Sequence, residues 1–570
     1  MKSKMMLLHL SAVAVTVAMY FYVLNEDFHK TWCELMSCTR TEKTDQHIVN
    51  GSSVWCTFTE HGKRLCSFKN LYFKPQENLF LFLLSEDSVV SGIGGKEDLK
   101  SFDASAVLNH NRFHLQIVPV SADDNIIGRN LSFLDSVFAL WRFKMDNIMH
   151  VLHDDLLPLY YTYSHICNGD IELCREKYRL FFVDDGGIGT LHEWYKLFST
   201  KEPIQATELK SHDVICFIHC HVGLVSNSLW YQYGFGRPQG PIKNLNLHGH
   251  LLLQFSAFIK KKLNLSSVKK SERQKQGVLL SRQINRRILN EMELINSMKQ
   301  TYHSIFHDES LRIHKLDLST NDTKTLVSLI HNSDIVIGMH GSAMILCLFV
   351  KPGALVIEIF PFGINPDYVS PVKALSKVAG SFFNYFQWVN EKENNSFPNE
   401  NAHQLHGGIS HLSEGQKAYI RSIKEVPAVE CCHNTVYLYR MFQDTVVGQE
   451  FLALFSKAIL EHNSSAHTTS GTKENLIEHW YFPAQVRNLT CVVNNQKIAV
   501  KWMTPLNVKT NHKYEITLSS GDWHLSVTAE KTDVLATVPP NAKMKTIQVW
   551  VKCIAQGAES LDAYTECSNG

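Results

Sequence analysis

Asp334–Pro361 reads DIVIGMHGSAMILCLFVKPGALVIEIFP. An apolar run ends at His340-Gly341, Ser342 opens a second apolar stretch, and a third run, GALVIEIFP, leaves through Glu358, Phe360 and Pro361. The first and third are short and rich in Val and Ile, like strands buried on both faces, and the middle one is helix-like. Working towards the N-terminus, the chain presents GVLLSR (Gly277 to Arg282), a polar helix-like stretch, LRIHKLDL and the helix-like TKTLVSLIHNS. Strand and helix alternate. Parallel strands need crossovers and a parallel sheet must be covered on both faces, so an α/β, Rossmann-like lobe is expected over residues 246–461.

The flanks extend this reading. NLFLFLL (Asn78 to Leu84) and HLQIVPV (His114 to Val120), with a helical middle around Met145 to His165, suggest a first α/β lobe over 51–245. Residues 462–480 are polar and read as a linker; 481–570, with KIAVKW and TIQVWVKC among turn residues, read as a β-sandwich. Met5 to Leu24, MMLLHLSAVAVTVAMYFYVL, has the ~20 residues needed to span a bilayer. Its aromatic end lacks the small residues of a cleavage site, which favours an uncleaved anchor. Lys2 and Lys4 keep residues 1–4 cytosolic, leaving 25–50 as a stem and the remainder lumenal, a single-pass type II arrangement.

Sequons at Asn50, Asn130, Asn264, Asn321, Asn394, Asn463 and Asn488 fit a lumenal chain. So do the cysteines: Cys56 with Cys66 and Cys167 with Cys174 flank short segments, Cys431-Cys432 adds two candidates, and Cys216, Cys220 and Cys347 lie in apolar stretches that suit buried thiols. No cysteine pair has zinc-site spacing with partner histidines, so no metal is expected. With 56 Lys and Arg against 55 Asp and Glu and no basic tract, nucleic acid is excluded as a partner.

In an open parallel sheet, ligands bind beyond the carboxyl ends of the strands. Arg282, His340, Gly341 and Glu358 all stand at such ends. Gly341-Ser342 opens a helix whose free N–H groups suit a phosphate, Arg282 with Arg286 and Arg287 offers forked donors for a diphosphate, and Glu358 could accept from a ribose or sugar hydroxyl. The plainer alternatives are a solvated arginine face, a satisfied core histidine and a structural carboxylate. In NIMHVLHDDLLP (Asn147 to Pro158), His150, His153 and Asp154 share a helical face. His153, Asp154 or Asp155 could be the base that deprotonates an acceptor hydroxyl; a capping cluster or a weak metal site is the alternative.

NIMHVLHDDLLP, WYQYGFGRPQGP (Trp230 to Pro241), SRQINRRILNE (Ser281 to Glu291), MHGSAM and EIFPFGINPDY resemble, in order and spacing, the glycosyltransferase 61 family, from about residue 50 to the end. The resemblance implies a two-lobed GT-B-like architecture and UDP-N-acetylglucosamine as donor. It also implies an inverting β-1,4 transfer to O-linked mannose of a glycoprotein such as α-dystroglycan, at the endoplasmic reticulum membrane. Carried across by position, it sets UDP near Arg282, Arg286, His340, Gly341, Ser342 and Glu358, and puts HDD in the acceptor lobe. It names the last module a fibronectin type III domain, with Trp502 and Pro505 in its WxxP pattern and a possible hold on the acceptor peptide. Arg287, Ser342 and Val369 depart from the motifs where Leu, Ala and an aromatic are usual, and Ile547 stands where a tyrosine-corner Tyr is usual. Transfer to Ser or Thr of an EGF-like domain and a silent glycan-binding protein are the rival readings. No permanently bound cofactor is expected. With no DxD-like run, metal-independent turnover is expected too, the arginines neutralising the diphosphate.

Overall fold

The computed structural model describes residues 50–570 apart from 59–63, 94–97, 108–111, 121–130, 235–236, 244–246, 248, 266–273, 318–321, 379–381, 429–433, 466–482, 495, 509–510, 521–522, 539–545 and 570. The anchor at Met5–Leu24, the stem to residue 49, Asn130, Asn321, Cys431, Cys432 and most of the linker lie outside the described residues. Among those described, no helix is long and apolar enough to cross a membrane.

The chain is mixed α/β. Its first sheet runs in the order Ser101–Asp103, Arg112–Pro119, Leu79–Leu84, Arg64–Lys74, Val214–Val222, Leu131–Leu140, Arg179–Phe182, Ile204–Gln205, with Ser53–Phe58 and Val90–Ser91 off this path. Pairing is mixed: Val214–Val222 lies antiparallel to Arg64–Lys74 and parallel to Leu131–Leu140. One face packs on the helix ending at Ile166 and the other on its own phenylalanine-rich cluster, which includes Phe68, Phe73, Phe181 and Phe217. Coverage on both faces explains why these strands read as continuous apolar runs.

The second sheet has five strands in the order Ser310–Asp317, Gln274–Ser281, Ile335–Met339, Ala354–Phe360, Phe383–Val389, every pair parallel. Ile335–Met339 and Ala354–Phe360 are buried throughout, and each buried Ile or Val contributes ~1.5–3 kcal/mol. The helices Glu291–Ile305 and Thr323–His331 make the crossovers that the alternation suggested. SAMILCLFV differs in kind: Ser342–Phe349 is a 3₁₀ helix, with Ala343 to Phe349 buried. Gly338 lets it lie close, because a Cβ there would meet Met344 Sδ at 2.8 Å. Parallel order brings Ser281, Met339 and Phe360, and the loops after them, to one edge.

Helix Glu450–Ser465 takes the first residues expected of the linker. After it, strands Arg487–Asn494, Lys497–Met503, Asp533–Thr537 and Ser568–Asn569 form one sheet, and His512–Ser520, Trp523–Ala529, Gln548–Ala555, Ala558–Glu559 and Ala563–Glu566 the facing one, a β-sandwich. Trp502, Tyr514 and Ile547 are buried in its core. It is held against the first sheet: Trp550 stacks on Trp55 at 3.9 Å, Lys69 reaches Tyr564 and Glu566, and the Gln485 N–H donates to His165 O. Disulfides join Cys56–Cys66, Cys167–Cys174 and, unforeseen from the sequence, Cys491–Cys567; Cys216, Cys220, Cys347 and Cys553 are buried free thiols.

Candidate active site

A cleft of ≈ 300 Å³ opens beyond the carboxyl ends of the second sheet. Asn147, His150, Tyr231 and Tyr233 line it from one side; Arg286, His340, Gly341 and Ser342 line it from the other.

Asn147 caps the helix on the first side, its side chain accepting from the Met149 N–H. The helix continues as Ile148–His150, a π-wound stretch Val151–Leu156, and Leu157–Ile166. Such π segments are frequent at functional sites. His153, Asp154 and Asp155 are 0% exposed, and none of them lines the cleft; the residue of this helix that reaches it with a titratable group is His150. His150, His153 and Asp154 do meet, both rings against the Asp154 carboxyl, but the expected base residues are sealed from the cleft. The helix is packed on every side, so its faces do not divide into solvent and core.

The hydrogen bonds assign protons. The Trp230 backbone N–H donates to His153 Nε2 at 3.3 Å, which puts the proton of a neutral His153 on Nδ1, 2.5 Å from Asp154 Oδ1. Tyr233 OH donates to the same oxygen at 3.1 Å. His150 Nδ1 lies 2.6 Å from the other oxygen, Asp154 Oδ2, and donates to it, so that in the neutral ring the lone pair is on Nε2. Burial alone would raise the Asp154 carboxyl, but His150 and His153 outweigh burial and hold it at about 2. Asp154 is an ionised orienter.

Asp155 behaves oppositely. Tyr195 OH donates to its Oδ2 at 2.6 Å, Oδ1 has no partner, and burial with the charges of Asp154 and Asp184 pushes the carboxyl well above its ordinary range. A carboxylic acid that keeps its proton, turned towards Tyr195, is a poor base, so Asp155 leaves the list of candidates.

On the second side, Arg282 bonds Asn285 through Nε and Nη2, at 2.9 and 3.0 Å, and Arg286 donates from Nη1 to His340 O at 3.0 Å. Among the described residues, no carboxylate is a hydrogen-bond partner of either arginine, and the buried Nε of Arg286 has no partner. Burial, and then the charge of Arg282, disfavours the Arg286 guanidinium. Arginine keeps its proton at any ordinary pH, so an arriving anion relieves this cost. Arg286 is held at φ 52°, a left-handed conformation costing of order 1–3 kcal/mol in a residue with a side chain. A Cβ on Gly341 would stand 2.9 Å from Nη1 of both arginines, so glycine leaves room where they converge. The Ser342–Phe349 helix begins there.

Arg287 is separate from this pair: it bonds Asp444 through its backbone N–H, Nε and Nη2, facing away from the cleft. Glu358 also differs from expectation. It is 0% exposed, and its oxygens accept from His340 Nδ1 (2.7 Å), Ser370 (2.6 Å) and Tyr385 (2.7 Å), leaving it to orient His340 rather than meet a sugar hydroxyl. His340 itself lines the cleft, its ring stacked on Phe360.

Sequence reasoning missed Tyr233 as the third donor to Asp154, and the apolar end of the cleft formed by Leu405, Leu438, Met441 and Phe442. The aromatic segment Trp230–Tyr233 also ties the two sides together: Trp230 Nε1–H donates to Pro371 O and Tyr231 OH to Tyr368 O. A tyrosine- and tryptophan-rich loop between two lobes was the available signal. Of the departures from the motifs, Ser342 and Val369 line the cleft.

This arrangement, a carboxylate-backed histidine facing Arg286, with Arg282 beside it and no carboxylate bonded to either among the described residues, is one in which a hydroxyl can be deprotonated while a departing anion is held. The comparisons agree with that class of chemistry. The family model "Glycosyltransferase 61" matches residues 233–357. The protein O-linked-mannose beta-1,4-N-acetylglucosaminyltransferase 2 of Xenopus tropicalis is 30% identical over 94% of this chain and 92% of its own length. The proteins of the same name from Bos taurus and Homo sapiens are 32% and 31% identical, covering 88% and 89% of this chain and 86% and 87% of their own. The chain belongs to the glycosyltransferase 61 family, and it is a glycosyltransferase.

Proposed function

We propose that this chain transfers N-acetylglucosamine from UDP-N-acetylglucosamine, with inversion, in β-1,4 linkage to O-linked mannose of a glycoprotein such as α-dystroglycan. The observation that carries the reading is the opposition, across one cleft of ≈ 300 Å³, of His150, backed by Asp154, and Arg286, which converges with Arg282 at Gly341 and bonds no carboxylate among the described residues. His150 Nε2 takes the proton of the mannose hydroxyl as its oxygen attacks the sugar C1, and Asp154 stabilises the imidazolium. Arg282, Arg286 and the Ser342 helix end hold the diphosphate as it leaves. His153 is a support for Asp154. The names of the relatives favour mannose over an EGF-domain hydroxyl as acceptor.

The two-sheet organisation supports a GT-B-like arrangement, and the build of the last module, a four-strand sheet facing a five-strand sheet, supports a fibronectin type III assignment. Exposure of Asn50, Asn264, Asn394, Asn463 and Asn488, together with the disulfides, supports an oxidising, glycosylating lumen, and the apolar run near the N-terminus an endoplasmic reticulum anchor. The sandwich meets the helix at His165, ~22 Å of helix rise from His150, within reach of an extended acceptor peptide. Turnover is metal-independent on this reading.

The test is UDP release by the full-length chain from UDP-N-acetylglucosamine, offered an O-mannosyl dystroglycan peptide, the unmodified peptide or a folded EGF domain. Release only with the mannosylated peptide, unaffected by EDTA, is expected. Release with the EGF domain alone, peptide binding without release, or EDTA-abolished turnover restored by manganese overturns the corresponding part.

A further inference from the structure

The His340 ring is held in one orientation at the cleft wall. Its Nδ1 is committed to Glu358 at 2.7 Å, and Glu358 is itself fixed by Ser370 and Tyr385. The ring is stacked on Phe360 at 5.0 Å and 18°, and its backbone N–H donates to Ile359 O. Neither the ring plane nor the Nδ1 proton is free to move, so Nε2 is the one ring atom left to act on a ligand in the cleft that His340 lines. The next residue is Gly341, where the two guanidinium groups converge. An anion held by both arginines therefore lies beside the His340 ring.

We infer that His340, positioned by Glu358, is the acid of the transfer: its Nε2–H protonates the β-phosphate oxygen that leaves the sugar. This rests on the UDP-sugar reading above. The step balances. The acceptor oxygen forms a bond to C1, the C1–O bond to the phosphate breaks with its electron pair going to the phosphate oxygen, and the His340 Nε2 proton goes to that oxygen. The acceptor's own proton goes to His150 Nε2. His150 ends charged and His340 neutral, and exchange with water restores both. Each histidine has a buried carboxylate on Nδ1, but only His340 adjoins Gly341, where the two guanidinium groups converge. The cationic imidazole supplies there part of what a divalent cation supplies to leaving diphosphates in other enzymes.

Other titratable groups face this ring. Arg286 bonds its carbonyl and Arg282 stands by Gly341; both keep their protons. Tyr385 and Cys347 beside Glu358, Tyr231 near it and Tyr437 beside Arg286 are all pushed up by burial, which keeps them neutral. From the facing side come His150, Tyr233, also pushed up, and the rim cation Lys144.

The experiment is the pH profile of kcat, with UDP affinity by calorimetry, for the full-length chain and its His340→Asn, His340→Gln and Glu358→Gln variants. Wild type is expected to give a bell. Each His340 variant should lose about 10²- to 10⁴-fold in kcat and lose the alkaline limb, with UDP affinity changed only a few-fold. Glu358→Gln should move the alkaline limb to lower pH, since the imidazolium loses its counter-charge. An alkaline limb that stays in place in the folded His340 variants, or UDP affinity that falls in step with kcat, overturns the inference and leaves His340 a phosphate ligand. Should one His340 variant fail to fold, the other and the Glu358→Gln shift decide. Absence of wild-type transfer would instead strike the UDP-sugar reading, so the two failures are distinguishable.

Discussion

Two histidine–carboxylate pairs face each other across the cleft, and they are built differently. His150 and Asp154 lie four residues apart on one helix. His340 and Glu358 lie eighteen apart, brought together by the pairing of neighbouring parallel strands. Each carboxylate is buried and receives three donors: His150, His153 and Tyr233 on Asp154, and His340, Ser370 and Tyr385 on Glu358. What differs is the field around them. Arg286 and Arg282 crowd the second pair, and such guanidiniums draw in a diphosphate, whereas the His150 ring of the first pair meets the rings of Phe143 and Tyr233. On the proposed mechanism a histidine with a carboxylate behind it serves each end of one reaction, a base where an uncharged hydroxyl arrives and an acid where an anion departs.

The contrast breaks first at His150. His150→Ala should cost about 10²- to 10⁴-fold in kcat with UDP affinity nearly intact, read by steady-state transfer and calorimetry. On the other side, Arg282→Ala or Arg286→Ala should lose ~2–4 kcal/mol of transition-state stabilisation, and here UDP affinity falls as well. Unchanged turnover in either arginine variant would remove that residue from the diphosphate site. Tyr233→Phe sharpens the comparison more gently: one hydrogen bond to Asp154 disappears, about 1 kcal/mol, seen as a several-fold drop in kcat without effect on UDP binding.

The smallest expected effect is that of Asp155→Asn. Because the folded carboxyl is pushed above its unfolded value, the folded protein binds the extra proton, and stability contributed by this group is present below the unfolded pKa and lost as pH rises towards the folded one. Asparagine removes that loss. Thermal melts from pH 4 to 8 should show the variant gaining on wild type as pH rises, with transfer preserved. Asp154 has the reverse sign: held at about 2, it supports the fold above its unfolded pKa and loses that support as pH falls towards 2.

Much of the second lobe was legible in the sequence because its physics is local. Val- and Ile-rich runs buried on both faces have a distinct appearance, and a parallel sheet necessarily gathers Arg282, His340 and Gly341 at one edge. Glu358 sits on the same strand end, but its side chain points into the core, and residue spacing does not reveal which exit residues turn inward. The HDD helix was found, but His153, Asp154 and Asp155 were singled out as bases, whereas it is His150 that lines the cleft. Periodicity groups His150, His153 and Asp154 without saying that Trp230 and Tyr233 close over the last two. Leu405 and Phe442 come from segments far along the chain, joined to the cleft only by tertiary packing, and carried no signal.

The central claim is a division of labour between the two sides, and one preparation tests it: full-length His150→Ala, loaded with UDP-N-acetylglucosamine and mixed with O-mannosyl peptide in a single turnover. The account predicts donor affinity within a few-fold of wild type and a transfer rate slower by about 10²-fold or more. A rate near wild type, or a loss of rate matched by an equal loss of donor affinity, would contradict it.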